Sequence, residues 1–365
     1  MSTVASRARP HSPVLRRRPE LITNGVPLAC RNTDVEPASR HKQRLDALLG
    51  KYEYESLQAD IAHSSSDTLS TEQMGNDDLG FLIENKRLHD ASVEYEKGRS
   101  EEIVTLTVEC EAWLQGDGSA DSTTIRKSGI PVPLRAGCYR KILAQDAEHV
   151  RSGQSSYQEL LEQVQASGIA AMEDIEKDLD RTFPGHTYID TERGRQALRN
   201  MLSAYAATNP ELGYCQSMNY IAAVLLVIME ADGSAANEEE AFWIFSAIEN
   251  RIVPQYHMHG LMGCRVDSRV LFSLVERKLP ELHSHLSNMS VVPEISFLSW
   301  FMCLFVNTLP IKSTLRVWDC LLVEKKDILL RVGLAVLTMC ERVLRVADNP
   351  FDLNQTLQVW QISPT

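Results

Sequence analysis

No two of the eight cysteines stand as a C-x-x-C pair. That removes the usual zinc-ribbon and dithiol spacings. Several cysteines lie in apolar runs, such as Cys303 within Phe301-Met302-Cys303-Leu304-Phe305, and read as reduced, buried small hydrophobes of a cytosolic protein. No apolar run reaches the roughly 18 residues that a membrane span needs; Ile221 to Met229 has the length of a core helix. The N-terminus has no apolar h-region, so no signal peptide is expected. A G-x-x-x-x-G-K-[ST] loop and a G-x-G-x-x-G fingerprint are both missing, so the chain is not expected to bind a nucleotide itself. Alternating β-branched runs are absent, which leaves an all-α fold. No fixed repeat period is visible, which weighs against a solenoid. Positive charge is scarce: 37 basic side chains face 49 acidic ones, a net of −12. Nucleic acid is therefore not the expected partner, since neutralising phosphates needs a basic face.

The 365 residues are 44% hydrophobic, enough for a sizeable core. Residues 1–44 are punctuated by Pro10, Pro13, Pro19, Pro27 and Pro37, with Arg16-Arg17-Arg18 among them, and read as a disordered basic tail. Their acid-free, Arg-rich start also has the composition of a transit peptide. Residues 45–126 form an acidic linker with short helices around Phe81–Tyr95 and Glu101–Leu114, the second ending in Trp113, which is expected to dock on the helical domain beyond it. That domain spans 127–350, and 351–365 is a C-terminal tail. Within the domain, helices are expected over Leu134–Leu143, Tyr157–Gln165 and Gly168–Asp180. Thr191 should cap a helix from Glu192 to Ala207. Further helices are expected over Ile221–Glu230, Glu238–Ile248, Val266–Lys278, Lys312–Val323 and Asp327–Val346, separated by one apolar, aromatic stretch, Glu294–Asn307.

Several side chains are candidates for chemistry. Cys215 lacks the Arg of a phosphatase loop and papain-like surroundings, and reads as a packing thiol. His257, His259, Cys264, His283 and His285 match no zinc spacing, and no metal site is expected. Asp174 and Asp178 share a helical face; with His186 they could make a metal-dependent hydrolase, but a solvated face, or a carboxylate orienting Arg181, is the better reading. Arg181 stands where an apolar helix stops and Thr182-Phe183-Pro184-Gly185 turns. It either pairs with Asp178 or presents a fixed planar cation to a transferring phosphoryl group. Gln216 opens the apolar segment after Gly213-Tyr214-Cys215. It either satisfies backbone N–H groups or orients a water for attack.

Four motifs resemble those of the TBC domain, the Rab GTPase-activating fold. Ile175, Asp178 and Arg181 match its I-x-x-D-x-x-R pattern. Tyr214-Cys215-Gln216 match Y-x-Q. Gly129-Ile130-Pro131 with Leu134-Arg135 match the opening G-I-P-x-x-L-R, and Trp318-Asp319 match a later W-D element. Their order and spacing agree over roughly 127–350. Two positions depart: Tyr139 stands where the family has Trp, keeping the packing role with a polar handle, and Ser217 adds a side chain where Gly is usual.

The resemblance implies an all-α, multi-helix, V-shaped domain that docks on a Rab-type GTPase in its GTP form. Arg181 would be the arginine finger and Gln216 the glutamine finger, with Asp178 and Arg135 orienting the Arg181 loop. Ile175 and Tyr214 would support the two motifs. GTP and Mg²⁺ would belong to the partner, and the chain would carry no cofactor of its own. It would be a GTPase activator rather than an enzyme in its own right. It would be cytoplasmic, meeting endomembranes only through the Rab and acting in vesicle traffic. The alternative is a catalytically silent scaffold that binds a GTP-loaded Rab.

Overall fold

The computed structural model describes residues 75–83, 86–116, 122–231, 237–349 and Leu357. The basic tail at 1–44, the first part of the acidic linker and most of the C-terminal tail lie outside the described residues. The described chain is all-α. It has no strand, and its one β feature is an isolated antiparallel bridge between Asn76 and Leu82.

Three helices precede the expected domain: α1 (Lys86–Gly98), α2 (Ser100–Gln115) and α3 (Ser122–Ser128). Two of these are the linker helices: the first begins at Lys86 rather than at the expected Phe81, since residues 75–83 close on themselves as a loop, and the second runs one residue past each expected end. Trp113 docks as expected: the Lys141 ammonium bonds its carbonyl and lies 4.9 Å from its ring centroid. Gly129-Ile130-Pro131 then leads through a 3₁₀ turn, Val132–Leu134, into α4 (Arg135–Arg151). Next come α5 (Tyr157–Ser167), α6 (Met172–Leu179), α7 (Glu192–Thr208), α8 (Met218–Glu230) and α9 (Asn237–Ala247). A π-helical turn, Ile248–Ile252, extends α9. The remainder holds α10 (Met262–Lys278), α11 (Pro280–Asn288), α12 (Pro293–Ser296), α13 (Leu298–Met302), α14 (Ile311–Glu324) and α15 (Asp327–Leu344).

The core is built around α8. Its sequence is apolar on every side, the mark of a helix surrounded by protein. All its residues except Tyr220 and Glu230 are buried. Full burial of one such aliphatic side chain contributes about 1.5–3 kcal/mol. α7 and α9 pack along α8, and α6 and α4 meet it as well. Local signals fix the flanking starts. Ser156 and Glu159 form a reciprocal capping box on α5, and Thr191 accepts from the Gly194 amide at 3.1 Å on α7. Gly194 is required there, because a Cβ would strike the Tyr188 carbonyl.

The expected helix over Gly168–Asp180 is shorter than the apolar spacing suggests. Gly168, at φ +67°, terminates α5, and α6 starts only at Met172. The aromatic stretch 294–307 divides into α12, α13 and a turn in which Leu304 and Phe305 adopt positive φ. The turn is fixed from outside, by the Trp318 indole N–H donating to the Leu304 carbonyl at 3.0 Å.

Candidate functional site

Ile175 and Asp178, three residues apart, share the buried face of α6, and Arg181 follows just past the helix end. Ile175 points into the core and is fully buried. Asp178, one turn later, is buried beneath the helix end, its side chain 4% exposed. Arg181, past the last turn, is 47% exposed and reaches back to bond Asp178 Oδ1. The other Asp178 oxygen, Oδ2, accepts from the Tyr214 hydroxyl. One buried carboxylate thus holds the two motifs together. Burial, then the Asp178 contact, pushes the Tyr214 phenol well above its ordinary pKa, so it stays a donor at neutral pH.

A second tie runs between the backbones of the two loops. Thr182 Oγ1 donates to the Asp178 carbonyl at 2.6 Å and accepts from Asn219 Nδ2 at 2.7 Å. Asn219 Oδ1 in turn accepts from the Ser217 amide at 3.1 Å. The Tyr220 hydroxyl donates to the Arg181 carbonyl at 3.4 Å. Gln216 sits just outside this network and is exposed. The result is two exposed polar side chains, a guanidinium and an amide, projecting from loops whose undersides are cross-bonded.

Ser217 enters α8 from the left-handed region, at φ +89°. That conformation favours glycine, which accounts for the glycine usual at this position. The serine side chain does not project toward a partner: it is buried, bonded to the Gln216 carbonyl and 3.2 Å from His257 Nε2. His257 Nε2 also lies 2.9 Å from the Met302 carbonyl, and Nδ1 lies 2.7 Å from the buried Glu249. Burial works against the imidazolium, yet Glu249 outweighs it and raises the His257 pKa. This buried pair stands beneath the Gln216 turn. Sequence reasoning missed it, weighing His257 as a zinc ligand. Asn219 was more accessible to inference, as a lone amide at the head of an apolar helix.

Arg135 requires a correction. It does not orient the Arg181 loop, because its guanidinium bonds Asp319, at 3.0 Å from Nε and 3.1 Å from a terminal nitrogen. Tyr139 keeps both packing and a polar handle: fully buried, it donates to Asp319 at 2.9 Å. Gly129, at φ +89°, brings the Ile130 amide to Asp319 at 3.0 Å; a Cβ on Gly129 would stand 2.7 Å from the Arg316 side chain. Pro131 comes next as the cap residue of the 3₁₀ turn, and Trp318 is buried beside Asp319. These residues therefore assemble the frame, while Asp178 and Tyr214 underpin the site from which Arg181 and Gln216 are exposed.

The other candidates disperse. Burial pushes the Cys215 thiol up to about 11, so it is protonated at neutral pH. Asp174 is exposed beside Lys177, and His186 is buried away from it. His259 bonds the Glu211 carbonyl, His285 the Ala347 carbonyl, and His283 packs at a tilt against Phe272. No helix among the described residues is long and apolar enough to cross a membrane.

The family model of the Rab-GTPase-TBC domain matches residues 133–344. The chain belongs to this family. It is 34% identical over 269 residues to growth hormone-regulated TBC protein 1 of Homo sapiens, covering 71% of this chain and 77% of that protein. It is 32% identical over 328 residues to TBC1 domain family member 2A of Homo sapiens, covering 85% of this chain but 34% of that longer protein. The crystal structure of the Chlamydomonas flagellar RabGAP TBC domain superposes with a TM-score of 0.67 at 26% identity, over 78% of this chain and 93% of that one. The Ypt/Rab-GAP domain of Gyp1p, at TM-score 0.54 and 18% identity over 70% and 96%, shares the fold.

Proposed function

We propose that this TBC domain accelerates GTP hydrolysis on a Rab-family GTPase by supplying Arg181 and Gln216 in trans. The observation that carries the reading is the shared Asp178 carboxylate, which fixes the exposed Arg181 guanidinium and, through Tyr214, the loop bearing Gln216. A planar cation held in this way neutralises charge on the transferring phosphoryl oxygens. A positioned amide orients the attacking water. Both need little reorganisation when the partner docks, because the loops are already bonded beneath. GTP and Mg²⁺ are the partner's, and the chain reaches membranes through that partner, in vesicle traffic.

The test is single-turnover GTP hydrolysis across a panel of GTP-loaded Rabs. At least one should be accelerated. Arg181→Ala should remove on the order of 10³-fold or more of that acceleration, as for trans arginines in related GTPases, while much of the binding remains. Gln216→Ala should also slow the reaction. If a Rab binds in its GTP form and no Rab is accelerated, the chain is a scaffold.

A further inference from the structure

Residues 75–83 lie some fifty positions before the family match begins, yet they fold onto the turn that follows Arg181. We propose that this segment is a clamp, and that Phe81 is a positioning residue for the arginine finger. The proposal rests on the activator reading.

The segment first closes on itself. The Asp77 carboxylate accepts from the Leu79 and Phe81 amides, both at 2.9 Å, and the Asp77 amide donates to the Phe81 carbonyl at 2.8 Å. The Ile83 amide donates to the Gly75 carbonyl at 3.1 Å. This rigid loop is then held on two sides. On one, Asp78 pairs at 3.1 Å with Lys312 of α14, which also bonds Glu96 of α1 at 2.9 Å. On the other, the Thr187 amide donates to the Gly80 carbonyl at 3.1 Å, and Asn76 Nδ2 donates to the Gly185 carbonyl at 3.1 Å. Gly80 and Gly185 both have positive φ and both permit close approach. A Cβ on Gly185 would stand 2.7 Å from the Leu82 side chain, and one on Gly80 would strike Thr187.

Phe81 is the part that reaches the finger. Its buried ring meets Phe183 edge-on at 4.9 Å and His186 at 4.4 Å. Phe183 lies two residues after Arg181 and adopts φ +47°, a strained conformation for a bulky side chain that persists only where neighbours impose it. On another side stands Tyr220, at 5.5 Å, whose hydroxyl bonds the Arg181 carbonyl. Phe183 is therefore gripped between Phe81 of the clamp and Tyr220 of α8. Removing one jaw frees the turn that sets where Arg181 starts. Misplacement by about 1 Å can cost roughly 10²-fold in rate.

Two readouts test this on the full chain: kcat and KM for an accelerated Rab, and amide hydrogen exchange at residues 181–187 without any Rab. Phe81→Ala should lower kcat by about 10- to 100-fold, leave KM within about threefold, and raise exchange across 181–187. Phe81→Leu, which refills the space, should restore most of both. Asn76→Ala, at an exposed position, gives a milder version should Phe81→Ala fold poorly. Unchanged exchange in both variants overturns the clamp. Raised exchange with unchanged kcat overturns the positioning role, and a raised kcat would make the segment inhibitory instead. If the unsubstituted chain activates no Rab, the activator reading fails, and the exchange result alone then decides whether the clamp exists.

Discussion

His186 shows how the fold fixes a single charge state. Its imidazole is buried, and Nδ1 accepts from the Tyr188 amide at 3.0 Å and the Ile189 amide at 3.1 Å. Only the neutral ring can accept in this way. Burial pulls the His186 pKa down to about 4, whereas an unfolded histidine titrates near 6.5. Above about pH 6.5 neither state is protonated there, and the contribution to stability is complete. Between about 6.5 and 4 the unfolded chain takes up a proton that the folded chain refuses, so stability falls with acid. His186→Asn, whose carbonyl can accept the same amides, should flatten this part of the acid limb in denaturant titrations run from pH 7 to pH 4.5. Equal slopes for the two proteins would show that His186 is not the titrating group. Ser217 makes a related point about a single position. Its positive φ explains a glycine preference that the sequence shows only as a departure, and its side chain finds a buried partner in His257. Nothing in the letters S-M-N around it discloses that direction.

The legible elements were those whose signal is local. α7 was readable from Thr191 and its spacing, α8 from an unbroken apolar run, and the second linker helix from its composition, whereas the first starts five residues after the expected Phe81. Elements fixed by distant partners were not. The turn at Leu304-Phe305 depends on Trp318, and the π-helical turn after α9 has no marker in Ile248-Glu249-Asn250-Arg251-Ile252. The site falls between these cases. Asp178, Arg181, Tyr214 and Gln216 were found as two motifs, but that one carboxylate binds both Arg181 and Tyr214 is a fact of how α6 crosses α8. Tyr214→Phe isolates that link. It leaves Asp178 Oδ2, a buried anionic oxygen, without its donor, at a cost of about 1–3 kcal/mol. Activation of a responsive Rab should fall, because the Gln216 loop is no longer tied to the Arg181 base. Chemical denaturation and single-turnover hydrolysis, measured side by side, would reveal the effect. A variant that loses stability yet keeps its full rate would mean that Thr182 and Asn219 suffice to hold the loops.

Across the whole molecule, Asp319 is the corresponding joint. It is fully buried and accepts from the Ile130 amide, from two nitrogens of Arg135, from Tyr139 and, at 3.2 Å, from Arg316. Most of the donors come from the opening turn and α4, the acceptor from α14, so one carboxylate joins segments about 180 residues apart. Arg316 extends the joint to α3 through the Ile125 and Arg126 carbonyls, at 3.4 and 3.3 Å. Such a pair is a poor source of net stability when intact, since desolvation offsets attraction, but breaking it strands a buried charge. Asp319→Asn should therefore destabilise the fold by roughly 3–5 kcal/mol. Arg135→Ala should cost less than that, since Arg316, Tyr139 and the Ile130 amide still face the carboxylate. The double variant should lose clearly less than the two losses combined, because neither charge is then left alone. Because this joint lies apart from the Asp178 network, protein that remains folded should keep its rate on a responsive Rab. Strictly additive losses in urea titrations would show that Arg135 and Asp319 act separately, and a rate lost from folded protein would return Arg135 to a part in holding the Arg181 loop.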